Sequence, residues 1–169
     1  MFVRRGHKLA PIIPGGGQES NRWSGTQNVA GAVGLATALE IAVRDQATNA
    51  CSMARMRDSL IAELTQIPGV YLTGHPVHRL PHIASFRLEG LDGQSVVVFL
   101  DSRGVCASTG SACSSGTVQA SPVLRACGLS ETEARGSLRL SVGTATTLEE
   151  LRGIGGLIAE VYAMETVLC

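Results

Sequence analysis

One cysteine stands in the middle of a run of small residues and is the side chain best suited by its surroundings to act as a nucleophile. Cys113 lies at the centre of the nonapeptide STGSACSSG, residues 108–116. Because the run carries no bulky side chain that a core would hold, it predicts a mobile loop that solvent can reach. Cysteine is otherwise among the most often buried residue types, so its display on such a loop favours thiolate chemistry. A small hydrophobe tucked under a turn is the alternative that the spacing alone leaves open.

An arginine and a threonine could complete a site around this thiol. Arg139 falls on the polar side of an alternating segment, residues 137–142, where it is suited to bind a carboxylate through two parallel hydrogen bonds. A solvated surface charge is the alternative interpretation of Arg139. Thr26 follows Gly25 just ahead of a predicted helix, where a hydroxyl and backbone amides can hold a phosphate. An ordinary helix cap is the alternative for Thr26.

The elements that must position these residues are predicted from hydrophobic spacing. Apolar residues at helical intervals predict helix over residues 29–39 and again over 53–64, as one long bent helix or as two. Residues 94–101 form a short apolar run that fits either helix or strand. Short strands are predicted at residues 70–72, 83–88, 105–107 and 137–142.

The C-terminal end is predicted to be helical. Thr147 and Glu150 form a capping box, and an apolar stripe at helical spacing follows it. Gly153, Gly155 and Gly156 lie within that stripe, and each costs roughly 1 kcal/mol relative to alanine in a helix. This indicates either close packing at the glycines or a weak helix. The chain is therefore predicted to have a helical N-terminal third followed by an α+β unit.

Composition excludes several classes of function. The 169 residues are 44% hydrophobic and 17% charged, which predicts a globular chain with a core. Lys+Arg and Asp+Glu are equal at 14 each, and aromatic residues make up only 4%, so nucleic acid is not expected as a partner. The longest apolar run, residues 96–100, is too short to span a bilayer. With no secretory segment expected, the prediction is a soluble cytoplasmic protein.

The five cysteines predict free thiols and no metal site. None forms a C-x-x-C pair, and the histidines at 75, 78 and 82 lie well upstream of the cysteines at 106 and 113. Cys106 is predicted in a strand and Cys127 at a helix end, so both are expected to be small core residues. Cys51 is expected on a helix face.

Four motifs together resemble one known family. The segments GGGQES…SGTQN, STGSACSSG, SPVLRACGL and SLRLSVGTATT resemble the C-terminal part of the cysteine desulfurases. These are class V aminotransferases within fold type I of the pyridoxal-phosphate enzymes, and selenocysteine lyases are close relatives. The resemblance runs from about Phe2 to the last helix. It implies a mixed α/β and α+β chain: residues 1–44 as a helical remnant of the large cofactor-binding domain, and 45–169 as the small C-terminal domain with its long linking helix.

The resemblance also implies a role for each candidate residue. Cys113 matches the cysteine that takes sulfur from L-cysteine, which leaves L-alanine and a persulfide on the protein. Arg139 matches the arginine that binds the substrate carboxylate, and Thr26 matches a residue that contacts the cofactor phosphate of the neighbouring subunit. It further implies pyridoxal 5'-phosphate, a homodimer, a sulfur-acceptor protein and a place in iron–sulfur cluster assembly.

Three positions depart from the family pattern. The family's Schiff-base lysine lies in a Ser-x-His-Lys segment that has no counterpart in this chain, and Lys8 follows a different element, as a surface lysine. Trp23 and Thr144 stand where relatives usually carry arginine. We therefore expect a fragment of a desulfurase that is inactive as an isolated chain. The alternative is a non-catalytic persulfide relay or assembly module that has lost cofactor chemistry.

Overall fold

A computed structural model describes residues 3–109 and 120–168, and for residues 166–168 it describes the backbone alone. It divides into two compact units, Met1–Asp45 and Gln46–Cys169. Helix α1, Val29–Leu64, is a single helix of 36 residues that runs through this division. The two predicted helical stretches are therefore one element.

The first unit is built around the beginning of α1. A short 3-10 turn, Glu19–Asn21, precedes the helix, and Gln18 and Trp23 form an isolated antiparallel bridge across it. Large apolar side chains of α1 are exposed all round the helix in this unit: Val29, Val33, Leu35, Leu39, Ile41 and Val43. A helix that is apolar on every side is typical of an element that other structure covers.

The second unit contains a three-stranded antiparallel sheet in the order β1-β2-β3. Its strands are β1 (Val70–Leu72), β2 (Ile83–Leu88) and β3 (Ser137–Ser141). The described residues of the unit also form five further helices: α2 (Gly93–Ser102), α3 (Pro122–Ala126), α4 (Glu131–Arg135), α5 (Leu148–Leu151) and α6 (Ile154–Leu168). The ambiguous apolar run at 94–101 is thus helical, and Asp92 caps it by accepting from the Ser95 amide.

The core lies against one face of this sheet. Period-two alternation places every second strand side chain on that face, and Phe86 and Leu138, which pair across β2 and β3, are fully buried. The helices contribute the other side of the core from the second half of α1, from α2 and from α6: Met56, Leu60, Leu64, Val96, Leu100, Ile154 and Ile158. Full burial of each such side chain stabilises the fold by roughly 1.5–3 kcal/mol.

Two glycines, Gly136 and Gly93, are required by close packing against backbone atoms. A Cβ on Gly136 would press on the backbone carbonyl oxygens of Leu88 and Leu91, and a Cβ on Gly93 would press on that of Ser137. At Gly155, the added atom would meet the Glu63 carboxylate, which accepts a hydrogen bond from the Gly155 amide. Gly155 therefore lies in contact with a flexible side chain, which could move to admit a Cβ. Gly156, by contrast, has open space at its Cβ position.

We expect Gly136→Ala to lower the free energy of unfolding by about 1–3 kcal/mol, because backbone oxygens cannot rotate away from the added methyl group. The φ of Gly136 is −77°, so steric overlap alone would cause the loss. Urea unfolding of the purified chain measures it. Gly156→Ala is the matched control and should raise stability through helix propensity. Equal stability of Gly136→Ala and the parent chain would contradict this packing.

Candidate functional site

The face of the sheet opposite the core is polar. β3 places Ser137, Arg139 and Ser141 on this face, as the sequence predicts, while Leu138 and Leu140 point into the core. Ser137 is nevertheless only 2% exposed, and its hydroxyl donates a hydrogen bond of 2.6 Å to the Thr109 carbonyl. The segment that leads toward Cys113 therefore lies beside β3 and is bonded to it at Ser137 and Arg139.

Arg139 lies between two serines in a row across this face. On one side it pairs with Ser85 of β2. On the other it pairs with Ser108 in an isolated bridge, in which each backbone amide donates to the other residue's carbonyl, at 3.1 Å from Ser108 and 2.6 Å from Arg139. Directly opposite residues of an antiparallel pair project to the same face. Arg139 is half-buried, which disfavours the interpretation as a fully solvated charge.

Cys113 lies in residues 110–119, outside the described residues. The residues on either side of that segment are anchored. Ser108 and Thr109 are bonded to β3, and Ser121 is 7% exposed and caps α3 by accepting from the Leu124 amide. Both flanks of the segment that contains the predicted nucleophile are therefore fixed to the second unit.

A second arginine on the polar face is held in a structural cluster. Arg87 of β2 forms an ion pair with Glu133 and lies 4.1 Å from the centre of the Tyr71 ring. Hydrogen bonds from the Ser130 backbone and hydroxyl, followed by the Arg87 charge, hold the pKa of Glu133 below its usual value. Arg87 is thus accounted for by α4 and is not a candidate for substrate binding.

Thr26 lies in the first unit and does not cap α1. Asn28 does so, because its side-chain oxygen accepts from the Gly31 amide at 2.8 Å. Gly25, at φ +91°, makes the turn that precedes Thr26, and the Ser24 hydroxyl donates to the Ile13 carbonyl at 2.9 Å. Thr26 is exposed, and its alternative interpretation as the helix cap is wrong.

A cleft of about 750 Å³ opens in the second unit beside β3. Cys106 and Ser141 line it together with the residues that follow α2 and the segment from α5 to α6. The sequence did not indicate this cleft, because its walls come from segments far apart in the chain. Across the described ranges, no three His, Cys, Asp or Glu residues are grouped as a metal site would need, and no helix there is long and apolar enough to cross a membrane.

Comparisons with known proteins now give the family. The model of the family described as "Aminotransferase class-V" matches residues 11–153. The chain belongs to this family. It is 45% identical over 168 residues to "Cysteine desulfurase IscS 1" of Archaeoglobus fulgidus, covering 97% of this chain and 44% of that protein. It is 38% identical over 161 residues to "Cysteine desulfurase IscS" of Methanosarcina thermophila, covering 95% of this chain and 40% of that protein.

Solved structures show the same relationship. A "NifS-like protein" is 30% identical at a TM-score of 0.79, over 96% of this chain and 41% of that one. The NifS-like protein from Rickettsia africae is 27% identical at the same TM-score, over 93% of this chain and 41% of that one. The predicted resemblance to cysteine desulfurases and to fold type I of the pyridoxal-phosphate enzymes is confirmed. This member of the class V family spans less than half the length of these relatives.

Two cysteines that the sequence predicted in the core lie at the surface. Cys106 and Cys127 are both exposed, so the expectation that they are core residues is wrong. Val105 and Ala107 pack against the core, and alternation therefore turns Cys106 away from it. Cys127 ends α3, a helix of five residues that contributes none of its own to the core. Cys51 is exposed on α1, as expected.

We expect Cys51, Cys106 and Cys127 to react with an aromatic disulfide reagent in the native chain at rates near those of the unfolded chain, because solvent reaches all three thiols. Native and denatured titrations, with single serine variants to assign each equivalent, measure this. Cys106→Ser should remove one equivalent that reacts rapidly in the native state. A Cys106 thiol that reacts only after denaturation would contradict the exposed placement.

Proposed function

We propose that this chain is the sulfur-accepting part of a pyridoxal-phosphate-dependent cysteine desulfurase. The observation that carries the proposal is the pairing of Ser108 with Arg139, which anchors the segment leading to Cys113 against the strand of the candidate carboxylate-binding arginine. Cys113 follows Ser108 by five residues, and five residues of chain span at most roughly 17 Å. The tether therefore keeps the thiol within reach of a substrate bound at Arg139.

Arg139 binds the carboxylate of L-cysteine in this proposal. Its position on the polar face, half-buried and flanked by small serines, suits a planar guanidinium that presents two parallel donors. A carboxylate held by both donors is fixed in orientation as well as position, so the substrate sulfur points in one direction. Lysine would supply the charge without the second parallel bond.

Cys113 accepts the sulfur. Its thiolate attacks the substrate sulfur, and the carbon–sulfur bond breaks with its electron pair left on carbon. The carbon takes up a proton to give L-alanine, and the sulfur remains on Cys113 as a persulfide. An acceptor thiolate then attacks the outer sulfur of the persulfide and releases the Cys113 thiolate for another turn. We propose a sulfur-acceptor protein as that partner, with cluster assembly as the use of the sulfur.

The chain fits only part of the cofactor site. Thr26 is exposed and does not cap α1, and in this proposal its hydroxyl donates to the cofactor phosphate. The chain has a single lysine, Lys8, and this residue is exposed in the first unit, so no buried amine is present to anchor the cofactor. Pyridoxal phosphate supplies an electron sink when it is bound. The amine for its attachment must come from residues other than these.

The apolar surface of α1 supports a larger assembly. Six large aliphatic side chains between Val29 and Val43 are exposed, and an apolar helix surface of this kind calls for cover by other protein. We propose that the remainder of the desulfurase fold covers it, in a cytoplasmic homodimer. In that assembly residues 1–44 belong to the large domain, and residues 45–169 form the small domain.

The isolated chain should produce no alanine when it is incubated with pyridoxal phosphate and L-cysteine, because Lys8 lies in the open and cannot hold the cofactor against the substrate. Amino-acid analysis of the reaction measures this. Sustained turnover would contradict the division of the site that we propose.

A chimera tests the proposal directly. The chain is joined in frame to the portion of the Archaeoglobus fulgidus desulfurase that it does not span. The chimera should release alanine and sulfide, and Cys113→Ser should abolish persulfide formation measured by mass spectrometry. Arg139→Ala should lower kcat/KM about 100-fold through loss of two charge-assisted bonds, with Arg139→Lys restoring little of it.

Arg135→Ala is the matched control, because Arg135 pairs with Glu131 on the surface of α4 and should leave the kinetics unchanged. An inactive chimera would overturn the proposal. A persulfide that forms on Cys113 of the isolated chain from a persulfide donor, together with an inactive chimera, would instead support a sulfur relay without cofactor chemistry.

A further inference from the structure

We propose that Ser85 is a second binding residue for the substrate carboxylate, donating a hydrogen bond beside Arg139. This inference rests on the proposed function, because it assigns a further contact within the same site. Ser85 lies in β2, far from Arg139 in sequence, and none of the motifs that pointed to the site includes it. The register of β2 against β3 and the hydrogen bonding of the Ser85 hydroxyl support the assignment.

Register places Ser85 directly opposite Arg139. The pairs Ile83–Ser141, Ser85–Arg139 and Arg87–Ser137 define the alignment of β2 and β3. Directly opposite residues in an antiparallel pair have Cβ atoms about 4.5–5.5 Å apart and project to the same face. Ser85 is half-buried, so a hydrogen bond made there is less exposed to competition from water. A carboxylate that approaches Arg139 from the β2 side meets the Ser85 hydroxyl.

Hydrogen bonding orients the Ser85 hydroxyl. The Thr73 hydroxyl donates to the Ser85 oxygen at 2.8 Å, and the Thr73 amide donates to the Ser85 carbonyl at 2.9 Å. Arg79 in turn donates to the Thr73 carbonyl at 3.1 Å, which fixes Thr73. A hydroxyl has one hydrogen to donate and two acceptor positions. With one acceptor position filled by Thr73, the hydrogen of Ser85 is directed to another acceptor.

The neighbours of Ser85 favour a carboxylate as that acceptor. The guanidinium of Arg139 has donors only and cannot accept the Ser85 hydrogen. Two other polar residues of the face are bonded elsewhere: the Ser137 hydroxyl donates to the Thr109 carbonyl, and Arg87 pairs with Glu133. A carboxylate held by Arg139 has lone pairs beyond those used by the guanidinium and can accept from Ser85. The row Thr73–Ser85–Arg139 then forms one carboxylate-binding strip.

The active chimera provides the test. Ser85→Ala should raise KM for L-cysteine about tenfold, the loss expected for one hydrogen bond to a charged group, with kcat little changed because the contact is present before and during reaction. Ser85→Thr keeps the hydroxyl and should restore KM. Ser102→Ala removes a serine hydroxyl that donates to the Phe99 carbonyl at the end of α2 and is the matched control.

Two substrate analogues separate binding from folding. Calorimetric titration of the chimera with 3-mercaptopropionate, which has the carboxylate and thiol but no amine, should give a Kd about tenfold weaker for Ser85→Ala. Cysteamine, which lacks the carboxylate, should bind both proteins equally. Thr73→Val leaves Ser85 in place but removes its orienting donor, and should weaken 3-mercaptopropionate binding by a smaller factor.

The outcomes distinguish this inference from the proposed function. An Arg139→Ala defect with unchanged KM and unchanged 3-mercaptopropionate binding in Ser85→Ala would overturn the role of Ser85 and leave the desulfurase proposal intact. Equal weakening of both analogues would show a structural role for Ser85 and would also overturn the inference. An inactive parent chimera, or normal kinetics in Arg139→Ala, would contradict the proposed function and this inference with it.

Discussion

The antiparallel pairing between Ser108 and Arg139 is the interaction on which the candidate site depends. Two backbone hydrogen bonds join these residues, and they tie the segment leading to Cys113 to the edge of the sheet. The pairing fixes which face Arg139 shares with its neighbours, and it places Ser85 and Ser108 on either side of the guanidinium-bearing residue. A shift of one residue in β3 would turn Arg139 into the core and expose Leu138 and Leu140. Burial of those leucines therefore secures both the fold and the orientation of the site.

Two glycines allow close packing of the backbone at the beginning of β3. Gly136 precedes β3, and its lack of a Cβ lets the carbonyl oxygens of Leu88 and Leu91 approach the chain. Gly93 does the same at the beginning of α2, against the Ser137 carbonyl. Both contacts lie within a few residues of Arg139 along the chain. Arg139 thus follows a closely packed stretch of backbone at Gly136 and Ser137, and its own backbone is bridged to Ser108.

Local pattern was enough to predict much of this fold. The alternation in β3 identified the buried and polar faces, and Leu138 and Leu140 are buried as expected. The run at 94–101 could not be assigned, since a short apolar segment carries no diagnostic period. The expected burial of Cys106 rested on its place in a predicted strand. Its alternation with Val105 and Ala107, which pack against the core, turns it to the opposite side.

The sequence alone could not predict which residues lie opposite one another in strands that are far apart in the chain. Ser85 and Arg139 are 54 positions apart, and nothing local to either residue indicates that they lie opposite one another. The same holds for Ser108 and Arg139, whose pairing joins the two motifs that first suggested a site. The cap of α1 was ambiguous for another reason: more than one polar residue lies before the helix, and the one that accepts from it is Asn28 and not Thr26.

Two independent features support the proposal that this chain acts together with further protein. Its single lysine is exposed and cannot serve as a buried amine, while the apolar surface of α1 between Val29 and Val43 is far more extensive than a surface helix requires. The first feature is the lack of a buried lysine that could hold a cofactor, and the second is an exposed apolar surface that is suited to packing against other protein. A single addition, the portion of the desulfurase fold that the relatives have and this chain does not span, would correct both. The polar strip around Arg139 requires no such addition, because β2, β3 and the bridge at Ser108 already hold it in place.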